Sequence, residues 1–251
     1  LGSAASAAVA APLAAAAGGW GAALAVISAV MILPLAVWLA VGPVESEQPH
    51  APRSAGGPFD PIALVLAAAF GLFGTVYYGL IAWLPDAYVE RGWEAAQAGA
   101  VVAVLNVASL AGALSIALVA RRLGYRRAAI SMAGGFALAV VGFVTFPGGS
   151  FGWAALAGYT NGALFPLLLA EPVRLARSSA QVATFSGIML GGGYSIAAIG
   201  PVVLGAARDR TGSFGFGLTL LALVAIVLAG LILAVNRRPA ADDADRARAP
   251  T

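Results

Sequence analysis

The chain has 251 residues, 61% of them hydrophobic and 10% charged, with a mean hydropathy of +0.90. Soluble domains carry about 25% charged residues, so a water-soluble fold would lack the side chains to cover its surface, and lipid is the solvent for most of this chain. The absence of cysteine excludes disulfides and thiolate metal sites. The formal charge of +3, carried entirely by arginine on the basic side, does not point to nucleic acid, and no cofactor is called for.

Six stretches contain no Asp, Glu, Lys or Arg: 1–44, 61–85, 95–120, 128–170, 178–207 and 211–236. A helix needs about 20 apolar residues to cross the hydrocarbon core. Four stretches fit one crossing each. The other two are about twice as long and carry breaks, at Ala17-Gly18-Gly19 and at Pro147-Gly148-Gly149-Ser150. The chain therefore reads as all-α, a multi-pass transmembrane bundle of about eight helices. They run over roughly 1–16, 20–42, 61–84, 96–120, 127–146, 151–170, 180–206 and 214–236.

The segment 1–42 begins at Leu1 without a basic leader and reads as the end of a longer, earlier part of a protein. The segment 43–60 holds Pro43, Pro49, Pro52, Gly56, Gly57 and Pro58 with mixed charges, and reads as a flexible cytoplasmic linker. His50 lies in it and reads as a solvated loop residue. The block 61–236 supplies six helices, and 237–251 is a charged, Ala-rich tail expected to be disordered. Eleven arginines fall on one side: Arg53, Arg121, Arg122, Arg126, Arg127, Arg174, Arg177, Arg237, Arg238, Arg246 and Arg248. Arg91, Arg208 and Arg210 fall on the other. Positive charge stays in the cytoplasm, so the C-terminus is expected there, in a plasma membrane.

Polar groups within spans are costly and mark candidate sites. Asn106 sits mid-helix, either lining a cavity or bonding a neighbouring helix. Asn161 precedes Pro166, which bends its helix; its amide either lines a cavity or satisfies backbone freed by the proline. Tyr77 and Tyr78 lie deep in their span, and as helix neighbours only one is expected to face a cavity. Trp83 reads as an interfacial anchor. Ser186, Tyr194 and Ser195 flank Gly191, Gly192 and Gly193, which soften the helix, with Pro201 as a second break; tight packing is the plainer role of the glycines. The pairs Gly158/Gly162 and Gly187/Gly191 have the spacing that lets helices approach, a spacing also produced by chance in a chain with 32 glycines. Glu171 is placed at a helix end, in a loop interaction. No ionisable group lies at the centre of a span, so no proton relay and no enzyme chemistry is read in this chain.

Two helices, a linker and six helices resemble the end of the first half and the whole second half of a major facilitator superfamily transporter. On that resemblance the helices are the end of the fifth, the sixth, and the seventh to twelfth. The loop Ala120-Arg121-Arg122-Leu123-Gly124-Tyr125-Arg126-Arg127 is similar to the family's Asp-Arg-x-Gly-Arg-Arg loop, with Arg122, Gly124, Arg126 and Arg127 carrying the match and Arg121 departing from it. Gly205 to Ser213 resembles the short turn before the last helix. Tyr77 to Pro85, Asn161 to Pro166, and Phe185-Ser186-Gly187 with Gly193-Tyr194 and Gly200-Pro201 look like the cyanate and nitroimidazole transporter-like branch, although Leu190 stands where that branch often has Gln.

The resemblance implies a secondary transporter that moves a small polar or anionic solute by alternating access. Tyr77, Tyr78, Asn106, Asn161, Ser186 and Tyr194 are the cavity candidates. Pro166, Gly191, Gly192, Gly193 and Pro201 are the candidate bends. The implied partners are the lipid bilayer, the solute and the missing N-terminal half. A drug or metabolite exporter of the same fold is the alternative, and a membrane-embedded enzyme or non-transporting partner is a third.

Overall fold

The computed structural model describes residues 13–14, 16–41 and 60–237. Nearly all of segment 43–60 with His50, most of 1–16, and the tail beyond Arg237 lie outside the described residues. Two units are distinguished, Leu1–Pro52 and Arg53–Thr251.

In the first unit Leu13, Ala14 and Ala16 are helical and lead into a turn at Ala17-Gly18, with Gly18 at φ 80° and Gly19 at φ 144°. Helix α1, Trp20–Val41, follows as 22 residues without a charged side chain, with Pro34 inside it. The break expected at Ala17-Gly18-Gly19 is thus a turn between two helical pieces.

The second unit contains α2 (Pro61–Glu90), α3 (Ala95–Leu123), α4 (Tyr125–Thr145), a 3-10 turn at Pro147–Gly149, α5 (Ser150–Leu175), α6 (Ser179–Thr211) and α7 (Phe214–Arg237). Among the described residues six helical stretches are long and apolar enough to cross a membrane. Every connection is short, Gly124 alone between α3 and α4 and Ser213 with Gly212 between α6 and α7. Such connections force antiparallel neighbours. Arg121, Arg122, Arg126, Arg127, Arg174 and Arg177 therefore share one end of the bundle, and Arg91, Arg208 and Arg210 the other.

The helices overrun the expected spans. The helix containing Pro85 continues to Glu90, and α5 and α6 continue to Leu175 and Thr211. Charged residues stop the membrane-buried part of a helix, not its backbone hydrogen bonding, so the ends project into water. Asp60 caps α2 by accepting from the Ile62 N–H at 2.8 Å. Gly124, at φ 81°, closes α3 and opens α4 in one residue, a backbone conformation that side chains disfavour. Arg121 and Arg122 sit in the last turn of α3, where the helix dipole favours cations, but Arg126 and Arg127 open α4, where it does not. Local helix energetics thus do not account for the second pair.

The core runs the length of the bundle and includes Phe70, Leu80, Leu84, Phe136, Phe143, Leu164, Phe185 and Leu228. Its tightest seams are made by small residues. Between α3 and α5, a Cβ on Gly112, Gly158 or Gly162 would overlap the carbonyl of Tyr159, Leu105 or Ser109 respectively. Between α2 and α6, Gly74 receives Ala197, Gly193 receives Phe70, and Gly200 receives Thr75. The Gly158/Gly162 pair is therefore a true helix seam. Gly187 and Gly191 have nothing within 4 Å.

Candidate functional site

Four helices line a half-open cavity of about 240 Å³ near the middle of the bundle. Helix α2 contributes Phe70, Phe73, Gly74, Tyr77 and Tyr78; α3 gives Ser109 and Ala113; α5 gives Asn161, Gly162 and Phe165; α6 gives Tyr194. The α2 set recurs at helical spacing, which turns Phe70, Phe73 and Tyr77 to one side. The small-residue seams set the walls: Gly162 holds α3 close behind Asn161, and Gly193 admits Phe70 beside Tyr194.

The walls are mostly aromatic. Phe73 and Phe165 stack with centroids 6.2 Å apart, and Tyr194 stands edge-on to Phe70 at 5.1 Å. Tyr77 and Tyr78 both line the cavity, where one alone was expected. Their rings lie 5.3 Å apart, edge to face, so two neighbouring side chains reach one space by packing against each other. Tyr78 is also exposed.

Polar groups are few and placed. Asn161 is 5% exposed. Its Nδ2 donates to Ser109 Oγ at 3.4 Å, and its Oδ1 has no hydrogen-bond partner. The amide therefore reaches across to α3 and does not turn back to the carbonyl freed by Pro166. That carbonyl belongs to Gly162, which loses its i+4 donor because proline has no N–H. Gly162 also lines the cavity.

Asn106 stands one layer behind. The Tyr77 hydroxyl donates to its Oδ1 at 3.4 Å, and its Nδ2 donates to Val102 O at 3.1 Å. Asn106 thus ties α3 to a cavity tyrosine without lining the cavity. Ser186 is half-buried on α6 and does not line it either. Ser195 is bonded to Gly191 O of its own helix at 2.8 Å. Helix α6 runs unbroken through Gly191, Gly192, Gly193 and Pro201, and α5 runs through Pro166. Trp83 is more than an anchor: its indole N–H donates to Pro201 O at 2.9 Å, tying α2 to the proline region of α6.

Sequence reasoning missed Ser109, Phe70 and Phe73. Ser109 follows Asn106 by three residues on one helix face, a signal that was available. The phenylalanines were indistinguishable from core until the cavity existed.

A second, larger cavity of about 490 Å³ lies at the Arg208 end, between Trp83, Asp86, Glu90, Asp209 and Phe214. There Glu90 accepts the Phe214 N–H at 2.9 Å, capping α7 from a neighbouring helix. Charged groups at helix ends are ordinary. The mid-bundle cavity, with polar groups held inside apolar walls, has the character of a ligand site.

Fold and cavity define the class: a multi-pass, all-helical membrane bundle with an aromatic and polar chamber at mid-depth. The chain belongs to the major facilitator superfamily, whose family model matches residues 1–201. It is similar to the 2-nitroimidazole transporter of Escherichia coli (strain K12), with 30% identity over 227 residues, 87% of this chain and 57% of that protein. It is also similar to the cyanate transport protein CynX of the same organism, 32% identical over 160 residues, 62% of this chain and 41% of that protein. An uncharacterized transporter of Bacillus subtilis (strain 168), YycB, is 28% identical over 163 residues, 63% of this chain and 40% of that protein. The chain spans about half the length of the curated relatives it matches. Family and relatives place it with transporters, not enzymes.

Proposed function

We propose that this chain supplies one wall of a secondary transporter that moves a small, flat, polar solute by alternating access, with the mid-bundle cavity as its part of the solute site. The observation that carries this reading is Asn161: a buried side chain at the cavity whose Oδ1 is unpartnered. An unpaired buried acceptor costs roughly 1–3 kcal/mol. A solute N–H or O–H brought against α5 removes that cost, once the soft terminal torsion of the amide turns Oδ1 toward the cavity. Phe70, Phe73, Phe165 and Tyr194 supply its aromatic lining. A flat ring bearing a donor suits these walls better than a small inorganic anion does. Tyr77 and Tyr78 close one side, with Asn106 fixing Tyr77.

The complementary wall belongs to an N-terminal half of the same protein, and the two halves rock about the cavity. The orientation follows the arginines: the Arg121–Arg127 end faces the cytoplasm and the C-terminus lies on that side of a plasma membrane.

The test is transport of labelled 2-nitroimidazole by the full-length protein in proteoliposomes, in both directions. Asn161→Leu is expected to weaken apparent affinity about tenfold, and Tyr194→Ala to lower it as well. Full activity in both variants would remove the cavity from the mechanism. Export of assorted apolar compounds without uptake would favour the second reading, an efflux pump, which the aromatic walls also support.

A further inference from the structure

At the arginine-rich end of the bundle, α4 and α5 meet through one side chain. Tyr125 begins α4, and its hydroxyl oxygen lies 2.6 Å from Leu167 O and 2.8 Å from Glu171 Oε1. Both neighbours are on α5. A phenol has one hydrogen to give. A carbonyl and an ionised carboxylate are both acceptors only. With Glu171 ionised, both short approaches would have to share the one phenolic hydrogen.

One arrangement gives each contact a hydrogen of its own. The Tyr125 O–H donates to Leu167 O, and a protonated Glu171 carboxyl donates its O–H to the Tyr125 oxygen. The surroundings agree. Glu171 also borders a narrow crevice whose other walls are aliphatic residues of α2, α4, α5 and α7, with Asn236 the one further polar side chain. The charged group packed nearest is Arg174 of α5, whose guanidinium favours an ionised carboxylate. Its guanidinium carbon lies over the Tyr125 ring, 3.4 Å from the centroid, so it engages the ring face as well.

We propose that Glu171 is a proton-binding site of this protein and that it is loaded in the conformation described. Its proton comes from water at the arginine-rich end: hydronium gives H⁺ to the carboxylate and becomes water, and no other bond is made or broken. Release of the proton leaves Tyr125 one hydrogen for two acceptors, so the α4–α5 tie loses one of its two bonds. The site stands on its own geometry and does not depend on which solute the cavity takes.

Infrared difference spectroscopy of the full-length protein in hydrated lipid at pH 7 reads the proton directly. Wild type minus Glu171→Gln, a change of nearly equal size, is expected to show one carboxylic-acid carbonyl band that the variant lacks. A difference showing loss of a carboxylate band alone would overturn the proposal. Tyr125→Phe removes only the hydroxyl. It is expected to shift or abolish the same acid band, and an unchanged band would show that the proton is not held by Tyr125.

Discussion

Gly162→Ala tests the seam on which the cavity rests. Among the atoms a new Cβ would meet, Ser109 C and Cα would lie at 2.5 and 2.7 Å, beyond the overlap with the Ser109 carbonyl oxygen, whereas ordinary contact begins at 3.4 Å. The obstacle is backbone, which has no rotamer to escape into, so α3 and α5 must part by about 1 Å or more. Overpacking of this kind costs roughly 1–3 kcal/mol. At about 2–4 °C per kcal/mol for a chain of this size, the melting temperature should fall by about 2–12 °C. The parting also stretches the 3.4 Å bond between Asn161 and Ser109, so cavity binding should weaken together with stability. Melting followed by tryptophan fluorescence in detergent measures the first effect. Gly134→Ala is the control, since a Cβ there meets nothing within 4 Å. It should be neutral or slightly stabilising, because alanine favours helix over glycine. A melting temperature for Gly162→Ala equal to that of the control would refute the seam.

Three further outcomes can be checked. Tyr77→Phe removes the bond to Asn106 and should cost about 0.5–1.5 kcal/mol of stability. Adding Asn106→Leu to it should cost less than the sum of the two single changes, read by a double-mutant melting cycle. Trp83→Phe deletes the 2.9 Å bond to Pro201 O and should lower stability by about 1 kcal/mol, whereas a purely interfacial anchor would tolerate the change. Because the chain has no cysteine, single cysteines report sidedness: Ser213→Cys should react with an impermeant maleimide added to intact cells, and Arg126→Cys only after permeabilisation. The reverse pattern would invert the proposed orientation.

The spans were legible because bilayer thickness and the cost of unsatisfied backbone leave little choice. A charge-free run of about 20 residues becomes a crossing helix whatever its neighbours. Helix ends were less legible, since Glu90, Leu175 and Thr211 end helices that outrun the charge-free runs. Within the site, Asn161, Tyr77, Tyr78 and Tyr194 stood out as polar groups where polarity is expensive, and they border one chamber. Ser186 stood out by the same rule and lies elsewhere. Rarity marks a residue without saying which way its helix is turned.

By itself the sequence determined solvent, the six crossing helices of 61–236 and their alternating direction, because each follows from composition along one dimension. The tertiary structure decided which polar groups share a space, since that depends on helix rotation and separation. Gly158/Gly162 and Gly187/Gly191 share one spacing in the sequence, and Gly112 carries no such mark; only the packing of α3 on α5 makes the first pair, with Gly112, the reason that Asn161 reaches Ser109. Glu171 is a helix-end carboxylate in the sequence. Only the fold sets it against a tyrosine whose single hydrogen is already claimed.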